Sequence, residues 1–392
     1  MSTKPPFPER SHEQNRIRFN VPPLVGSEFT YIQEALQRGH VSSSGPFSER
    51  AAEVLRAFHS AQHVFLTTSC TDALEMTAML LRLNPGDVVI VPSFSFVSTA
   101  LAFARSGARL LFADIERDTL GIDPAHVAHL VDERVRAVVA VHYAGVACDM
   151  DGLASAVAGH SVDLIEDNAQ GLFGFYRGRA LGSFGRLSTL SFHETKNFVC
   201  GEGGALVVND EKDVERAHVL YDKGTNRRAF MSGLVDKYSW VDEGSSFGMS
   251  DVLAAYLLAQ LEARESILSR RRQLWNQYNE ALAPEAASYG FETPHIPPDR
   301  DHPYHMYYVL LPTQSARDAV LSSLARLGIA AAFHYIPLHN ASGAQRYIRS
   351  STECPVTSEI SSRLLRLPFH SALEPQDVAQ VTDAFLRAVS EL

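Results

Sequence analysis

From about residue 50 onward, short apolar runs alternate with amphipathic stretches. The runs are "FLTTS" at 65–69, "DVVIVPSFSF" at 87–96, "ARLLFADI" at 108–115, "VRAVVAVHYAG" at 135–145, "VDLIEDNAQ" at 162–170, "LSTLSF" at 187–192 and "GALVVND" at 204–210. Strands that are apolar along their whole length and separated by helices predict a mostly parallel sheet, covered by helices on both faces. From Asp251, "DVLAAYLLAQLEARESILSRRRQLWNQYNEAL" predicts one or two long helices, and its basic run Arg270, Arg271 and Arg272 reads as a solvated helix face. The register then changes. "MYYVLLP", a helix near "ARDAVLSSLARLG", "AAFHYIPLH" and a last helix from "PQDVAQVTDAFLRAV" predict a smaller α+β unit. The pattern divides the chain into a polar, proline-rich tail expected to be disordered at 1–15, a large α/β domain at 16–265 and a small C-terminal domain at 266–392.

Composition narrows the partners. Lys and Arg number 35 against 45 Asp and Glu, a formal charge of -10, which argues against a nucleic-acid partner. An anionic substrate must therefore be met by a few placed cations and backbone amides. No apolar run approaches the roughly 20 residues that span a bilayer, so no membrane association is expected. The cysteines at 70, 148, 200 and 354 are far apart and form no C-x-x-C pair, which fits a reducing cytoplasm.

Sheets of this type build their sites from the loops at the carboxyl ends of the strands. That rule singles out Ser69 to Thr71, Ser93 to Phe96, His142 and Tyr143, Asp167 to Gln170, and Lys196. No G-x-G-x-x-G follows the first strand, no Walker lysine motif occurs, and "HETKN" lacks the second histidine of H-E-x-x-H. Dinucleotide, P-loop and zinc-protease chemistry lose support, and no metal site is expected. A lysine near a strand end can form a Schiff base with a carbonyl. A buried aspartate on a neighbouring strand end can hold a pyridinium nitrogen protonated, the pairing that makes pyridoxal phosphate an electron sink. Lys196 and Asp167 fit those roles. Ser69 and Thr71, where a strand turns into a helix, suit the cofactor's phosphate, and Phe96 could stack on its ring. Taken singly, each has a plainer reading: a solvated loop lysine, a helix cap, an ordinary N-cap, a core aromatic.

As a set, these residues resemble those of the pyridoxal-phosphate-dependent sugar aminotransferases of the DegT/DnrJ/EryC/StrS type. The likeness runs through "PSFSFVSTA", "VHYAGVACDMD", "SFHETKN", "KGTNR", "VDKYSW", "MSDVLAAYLLAQLE" and "FHYIPLH". The resemblance implies a fold-type I scaffold like that of aspartate aminotransferase, with Lys196 and Asp167 catalytic and Gln170 packed near the cofactor's phenolic oxygen. By the same resemblance Cys70, Thr71 and Ser191 form the phosphate cup, and Asn226 reaches the phosphate in a neighbouring subunit, so a homodimer with shared sites is expected. Lys223, Arg227, Arg228 and Lys237 are candidates for a nucleotide diphosphate, and His334 and Tyr335 for the substrate shell. Where relatives often carry a small residue after the aspartate, this chain has Asn168.

The implied reaction moves an amino group from L-glutamate to C4 of dTDP-4-keto-6-deoxy-D-glucose. The expected product is dTDP-4-amino-4,6-dideoxy-D-galactose, with the gluco epimer, as used in antibiotic sugars, as the alternative. A sugar dehydratase on this fold would carry histidine in place of Lys196. A non-catalytic regulatory protein would be expected to lose Lys196 or Asp167, and both are present.

Overall fold

The computed structural model describes residues 17–392, and the tail expected at 1–15 lies outside the described residues. All seven apolar runs become strands of one sheet, in the order His63–Thr67, Gly204–Val208, Leu187–Ser191, Asp163–Asp167, Val135–Val141, Val88–Pro92, Arg109–Ala113. The five strands from Leu187–Ser191 to Arg109–Ala113 are parallel; Gly204–Val208 runs antiparallel to both of its neighbours. The sheet is mixed and mostly parallel, as the sequence pattern predicts.

Successive residues of a strand face opposite sides, and the cores follow that alternation. Val89 and Val91 pack with helices Cys70–Leu80 and Val97–Arg105, while Val88 and Ile90 pack on the other face with residues of Pro124–Leu130 and Met150–Ala156. Val64, Leu66, Ala205 and Val207 share a further core with residues of helices Glu28–Arg38, Pro46–His59 and Asp251–Glu262. Both faces are therefore covered. That burial explains why the strands read as unbroken apolar runs.

Beyond Glu262 the chain continues as helix Arg264–Leu282, then a three-stranded antiparallel sheet in the order Tyr308–Leu310, Leu364–Arg366, Ala332–Phe333. Helices Gln314–Arg326 and Pro375–Ser390 pack there around Leu274, Tyr278, Val309, Leu365 and Phe385, and Ile17 joins this core. Among the described residues no helix is long and apolar enough to cross a membrane.

The basic run on Arg264–Leu282 is solvated only in part: Arg272 is exposed and Arg270 half-buried, but the middle member is not. Arg271 is 2% exposed, and its Nε and Nη2 donate to the carbonyls of Tyr304 at 2.9 Å and His305 at 2.6 Å. Arg270 donates Nε to Ser371 O at 3.3 Å and Arg272 lies 5.3 Å from the centre of the Tyr304 ring. Helical spacing supplies the reason. Arg271 falls four residues after Ile267 and three and four before Leu274 and Trp275, on the stripe that faces inward. Burial pushes its guanidinium down to about 9, and the two carbonyls satisfy it.

Candidate active site

A cavity of about 560 Å3 opens at the carboxyl ends of the parallel strands. Ser69, Cys70, Thr71, Phe96, Asp167, Gln170, Ser191, Lys196, His334 and Tyr335 all line it. The sequence had separated them by more than 260 positions.

One end of the cavity is the start of helix Cys70–Leu80. Ser69 caps that helix, its hydroxyl accepting from Asp72 N at 3.0 Å, and Thr71 donates to Ser98 Oγ at 3.0 Å. Free amides at a helix start favour an anion. Ser191 pairs with Gly204 across the sheet, and a Cβ on Gly204 would lie 2.4 Å from Cys70 N and from the carbonyl carbon of Ser69. Only glycine lets that strand pass this close to the helix start. Burial pushes the Cys70 thiol up to about 12, so it stays protonated.

Asp167 ends the strand Asp163–Asp167 and is 5% exposed. Its Oδ2 accepts from Thr99 Oγ1 at 2.7 Å and its Oδ1 from Ala169 N at 3.2 Å. Behind it, on the opposite face of the sheet, Glu166 accepts from His142 Nε2 at 3.0 Å and from the amides of Gly182, Phe184 and Gly185, each at 2.7 Å. Burial alone would raise Glu166, but His142 and these amides more than offset it and hold the carboxyl below its usual range. His142 thus braces the sheet and does not line the cavity, whereas Tyr143 bonds to His334 at 3.2 Å.

Lys196 lies in the loop between Leu187–Ser191 and Gly204–Val208, its amide donating to His193 O at 2.9 Å. The next residue pins the loop: Asn197 donates to Pro303 O at 2.7 Å and accepts from His305 Nδ1 at 2.9 Å. Burial lowers the Lys196 ammonium from its ordinary value, only partly opposed by Cys70 and Asp167, and nearby Arg366 lowers it further. Gln170 accepts from Ala144 N at 2.7 Å and donates to Tyr335 Oη at 3.2 Å. Phe96 is no core aromatic: it is 60% exposed and presents its ring to the cavity.

Five of the expected residues lie elsewhere in the protomer. Asn226, Lys223, Arg227, Arg228 and Lys237 do not line this cavity. Asn226 donates to Lys237 O at 3.0 Å and accepts from Ser239 N at 2.8 Å, and Arg227 sits 3.7 Å from Asp222. Their segment also carries Leu234 and Trp240, 79% and 83% exposed.

The sequence reading passed over three residues of the site. Thr99 was visible as a hydroxyl one turn past Phe96 in "PSFSFVSTA". Arg366 is the second of two arginines in "RLLRLPF", and nothing in the sequence sets it apart from Arg363. Nothing local marked His305, whose place in the cavity wall comes from the tertiary fold.

The donor set fits pyridoxal phosphate on the structure's own terms. A buried lysine with a depressed ammonium, a fixed buried carboxylate and a helix start beside hydroxyls meet in one cavity of suitable volume.

Residues 24–386 match the DegT/DnrJ/EryC1/StrS aminotransferase family. The chain is 31% identical over 372 residues to the spore coat polysaccharide biosynthesis protein SpsC of Bacillus subtilis, covering 92% of this chain and 94% of SpsC. Its fold is similar to that of the aminotransferase TlmJ from Streptoalloteichus hindustanus, with a TM-score of 0.88 at 29% identity over 96% of this chain and 99% of TlmJ. The PLP form of the putative sugar aminotransferase Spr1654 from Streptococcus pneumoniae has the same fold, with a TM-score of 0.88 at 23% identity over 96% and 99% of the two chains. With that site and these likenesses together, the chain belongs to the DegT/DnrJ/EryC1/StrS family and is a pyridoxal-phosphate-dependent sugar aminotransferase.

Proposed function

We propose that the protein transfers the amino group of L-glutamate to C4 of dTDP-4-keto-6-deoxy-D-glucose, giving dTDP-4-amino-4,6-dideoxy-D-galactose. The observation that carries the transfer chemistry is the meeting of Lys196, Asp167 and the Ser69–Thr71 helix start in one cavity. The likeness to SpsC, named for polysaccharide biosynthesis, supports a sugar destined for a larger glycan.

Bound in the cavity, pyridoxal phosphate supplies a sink for the electron pair left when a proton leaves the donor's α-carbon. The residues do the rest. Amides at the start of Cys70–Leu80, with the hydroxyls of Thr71 and Ser191, hold the phosphate, and Phe96 covers one face of the ring. Asp167, fixed by Thr99 and Ala169, keeps a proton on the ring nitrogen. Lys196 Nζ, which burial favours as the free amine, would be the base that takes the α-proton of glutamate and holds it for the transfer that the bound cofactor makes possible. The same nitrogen returns a proton to C4 of the sugar in the second half. Gln170, tied to Ala144 and Tyr335, orients the ring's oxygen edge.

The working unit in this reading is a cytoplasmic homodimer. Phe230, Met231, Leu234, Tyr238 and Trp240 are exposed on the segment that carries Asn226, an apolar surface suited to a second copy. A second copy would bring Asn226 and the neighbouring cations to the cavity that lacks them. The division into a cofactor domain at 16–265 and a small domain at 266–392 is supported by the separate core around Leu274 and Phe385.

Incubation with glutamate and dTDP-4-keto-6-deoxy-D-glucose, followed by NMR of the product, tests the whole reading. A C4 amine whose H4 lacks two large vicinal couplings is expected. Two large couplings would mean the gluco epimer, and an amine at C3 would overturn the assignment of the carbon.

A further inference from the structure

Asp114 is a buried carboxylate that the chemistry does not use. It follows the strand Arg109–Ala113, is 6% exposed and does not line the cavity. Its partners lie mostly in the small domain. Oδ2 accepts from Val356 N at 2.9 Å, and Oδ1 from Thr357 N and Thr357 Oγ1, each at 2.7 Å, besides Ile115 N at 2.9 Å. Val356 and Thr357 open the helix Pro355–Arg363. Pro355 has no N–H, Ser358 N is taken by Cys354 O at 3.0 Å, and Cys354, in the capping position, makes no side-chain cap. The two amides that remain at the helix start are both closed by a residue 242 and 243 positions earlier in the chain. A negative charge at a helix start is favourable in itself. Supplied from the other domain, it is also a clamp.

What the clamp holds is one wall of the cavity. After Ala332–Phe333 the chain puts His334 and Tyr335 into the cavity and crosses to the large domain, where Leu338 N donates to Ser93 O at 2.9 Å and Leu110 N donates to Tyr347 O at 3.0 Å. It returns through Pro355–Arg363, which runs without a break into the central strand Leu364–Arg366; there Arg366 lines the cavity and donates to His334 Nε2 at 2.7 Å. The bonds at Ser93 and Leu110, and that of Thr352 to Phe112 O at 2.6 Å, hold the crossing segment before the helix begins. Asp114 holds the first turn of the helix itself. Arg117 also pairs with Glu359 on this helix, but at the surface, where such a pair holds little. We propose that Asp114 is a positioning residue for the transfer reaction: without touching cofactor or substrate, it sets where the wall of His334, Tyr335 and Arg366 stands relative to Lys196.

The test compares the cofactor-loaded wild type with Asp114→Ala and with Val381→Ala, which opens a cavity in the small domain's own core and lowers stability away from the clamp. Hydrogen exchange and steady-state kinetics are read on each. In Asp114→Ala the amides of residues 355–366 should exchange about tenfold faster or more, those of Asp163–Asp167 should keep wild-type rates, and the cofactor's absorbance should not change. The ratio kcat/KM should fall about tenfold or more for both substrates, since a displaced wall affects every ligand of the one cavity. Thr357→Val, which removes one donor, should move both readouts the same way by less. Val381→Ala should lower the melting temperature with little change in kcat/KM. Unchanged exchange at 355–366 or unchanged kcat/KM in Asp114→Ala overturns the proposal, and so does an equal fall in kcat/KM in Val381→Ala. If Asp114→Ala does not fold, Asp114→Asn, which keeps one acceptor oxygen, decides by the same readouts. The exchange measurement needs no substrate, so failure of the sugar assignment would leave it to decide.

Discussion

Thr99 hands its only hydroxyl proton to Asp167 Oδ2, 2.7 Å away, so the Ser95 hydroxyl, 2.8 Å from Thr99, must donate to Thr99 in turn. The carboxylate proposed to meet the cofactor's ring nitrogen is therefore oriented by a relay from the loop after Val88–Pro92. Thr99→Val removes the relay and spares the fold. A hydrogen bond to a charged group contributes about 1.5–3 kcal/mol, so kcat should fall roughly tenfold or more with cofactor still bound. Steady-state kinetics beside a cofactor absorbance titration checks this, and an unaltered kcat would mean that Asp167 needs no support from Thr99.

Lys196→Ala should fold and bind pyridoxamine phosphate yet show no turnover, because the phosphate site survives while the attachment point and proton carrier are gone. Asp167→Asn should keep the cofactor's absorbance, sensitive to borohydride, and lose most activity. Measurable turnover in the first variant, or a near-normal rate in the second, would show that other residues do this chemistry.

Mixing Lys196→Ala protein with Asn226→Ala protein should restore part of the activity through mixed dimers, since one of the two sites is then built from unaltered residues. Sedimentation establishes that subunits exchange. No recovery after proven exchange would place Asn226 outside the partner's site.

Alanine at Lys223, Arg227, Arg228 or Lys237 should, for at least one of them, raise the KM for the sugar nucleotide about fivefold or more and leave the glutamate half-reaction unaltered. Single-turnover kinetics separates the halves. Four variants with unchanged KM would remove the segment from the substrate site.

His302 is pushed down to about 4 and His334 to about 2 by burial, and burial drives His305 well below its usual value. Their folded values lie below the unfolded value near 6.5, so the unfolded chain binds more protons as pH drops. Stability should fall from about pH 6.5 downward, with each group contributing up to roughly 1.4 kcal/mol per pH unit. Urea midpoints between pH 7 and 5 test the sign; a flat profile would mean that these imidazoles are solvated.

The seven strands were legible because they are buried on both faces, which leaves an unbroken apolar signature, and the rule about strand ends then pointed to Asp167 and Lys196. Arg271 was misread because a run of three arginines looks polar, although its middle member falls on the inward stripe with Ile267 and Leu274. Arg366 and His305 were not legible at all. Their roles depend on how the small sheet meets the large one, and no local pattern encodes that meeting. Phe96 shows how far position outweighs composition: taken singly it reads as a core aromatic, its place at a strand end offers it to the cofactor, and the fold leaves it exposed on the cavity wall.

Glu166 and Asp167 stand side by side on one strand, two carboxylates facing opposite sides of the sheet. A slip of one position would exchange them, putting the longer acid in the cavity and the shorter one before His142 and the amides of Gly182, Phe184 and Gly185. Those four donors surround Glu166 at 2.7 to 3.0 Å, and an aspartate lacks the methylene needed to reach them all. The misaligned sheet would leave buried donors unmatched. The far side of the sheet thus acts as a gauge, admitting only the alignment that turns Asp167 rather than Glu166 into the cavity.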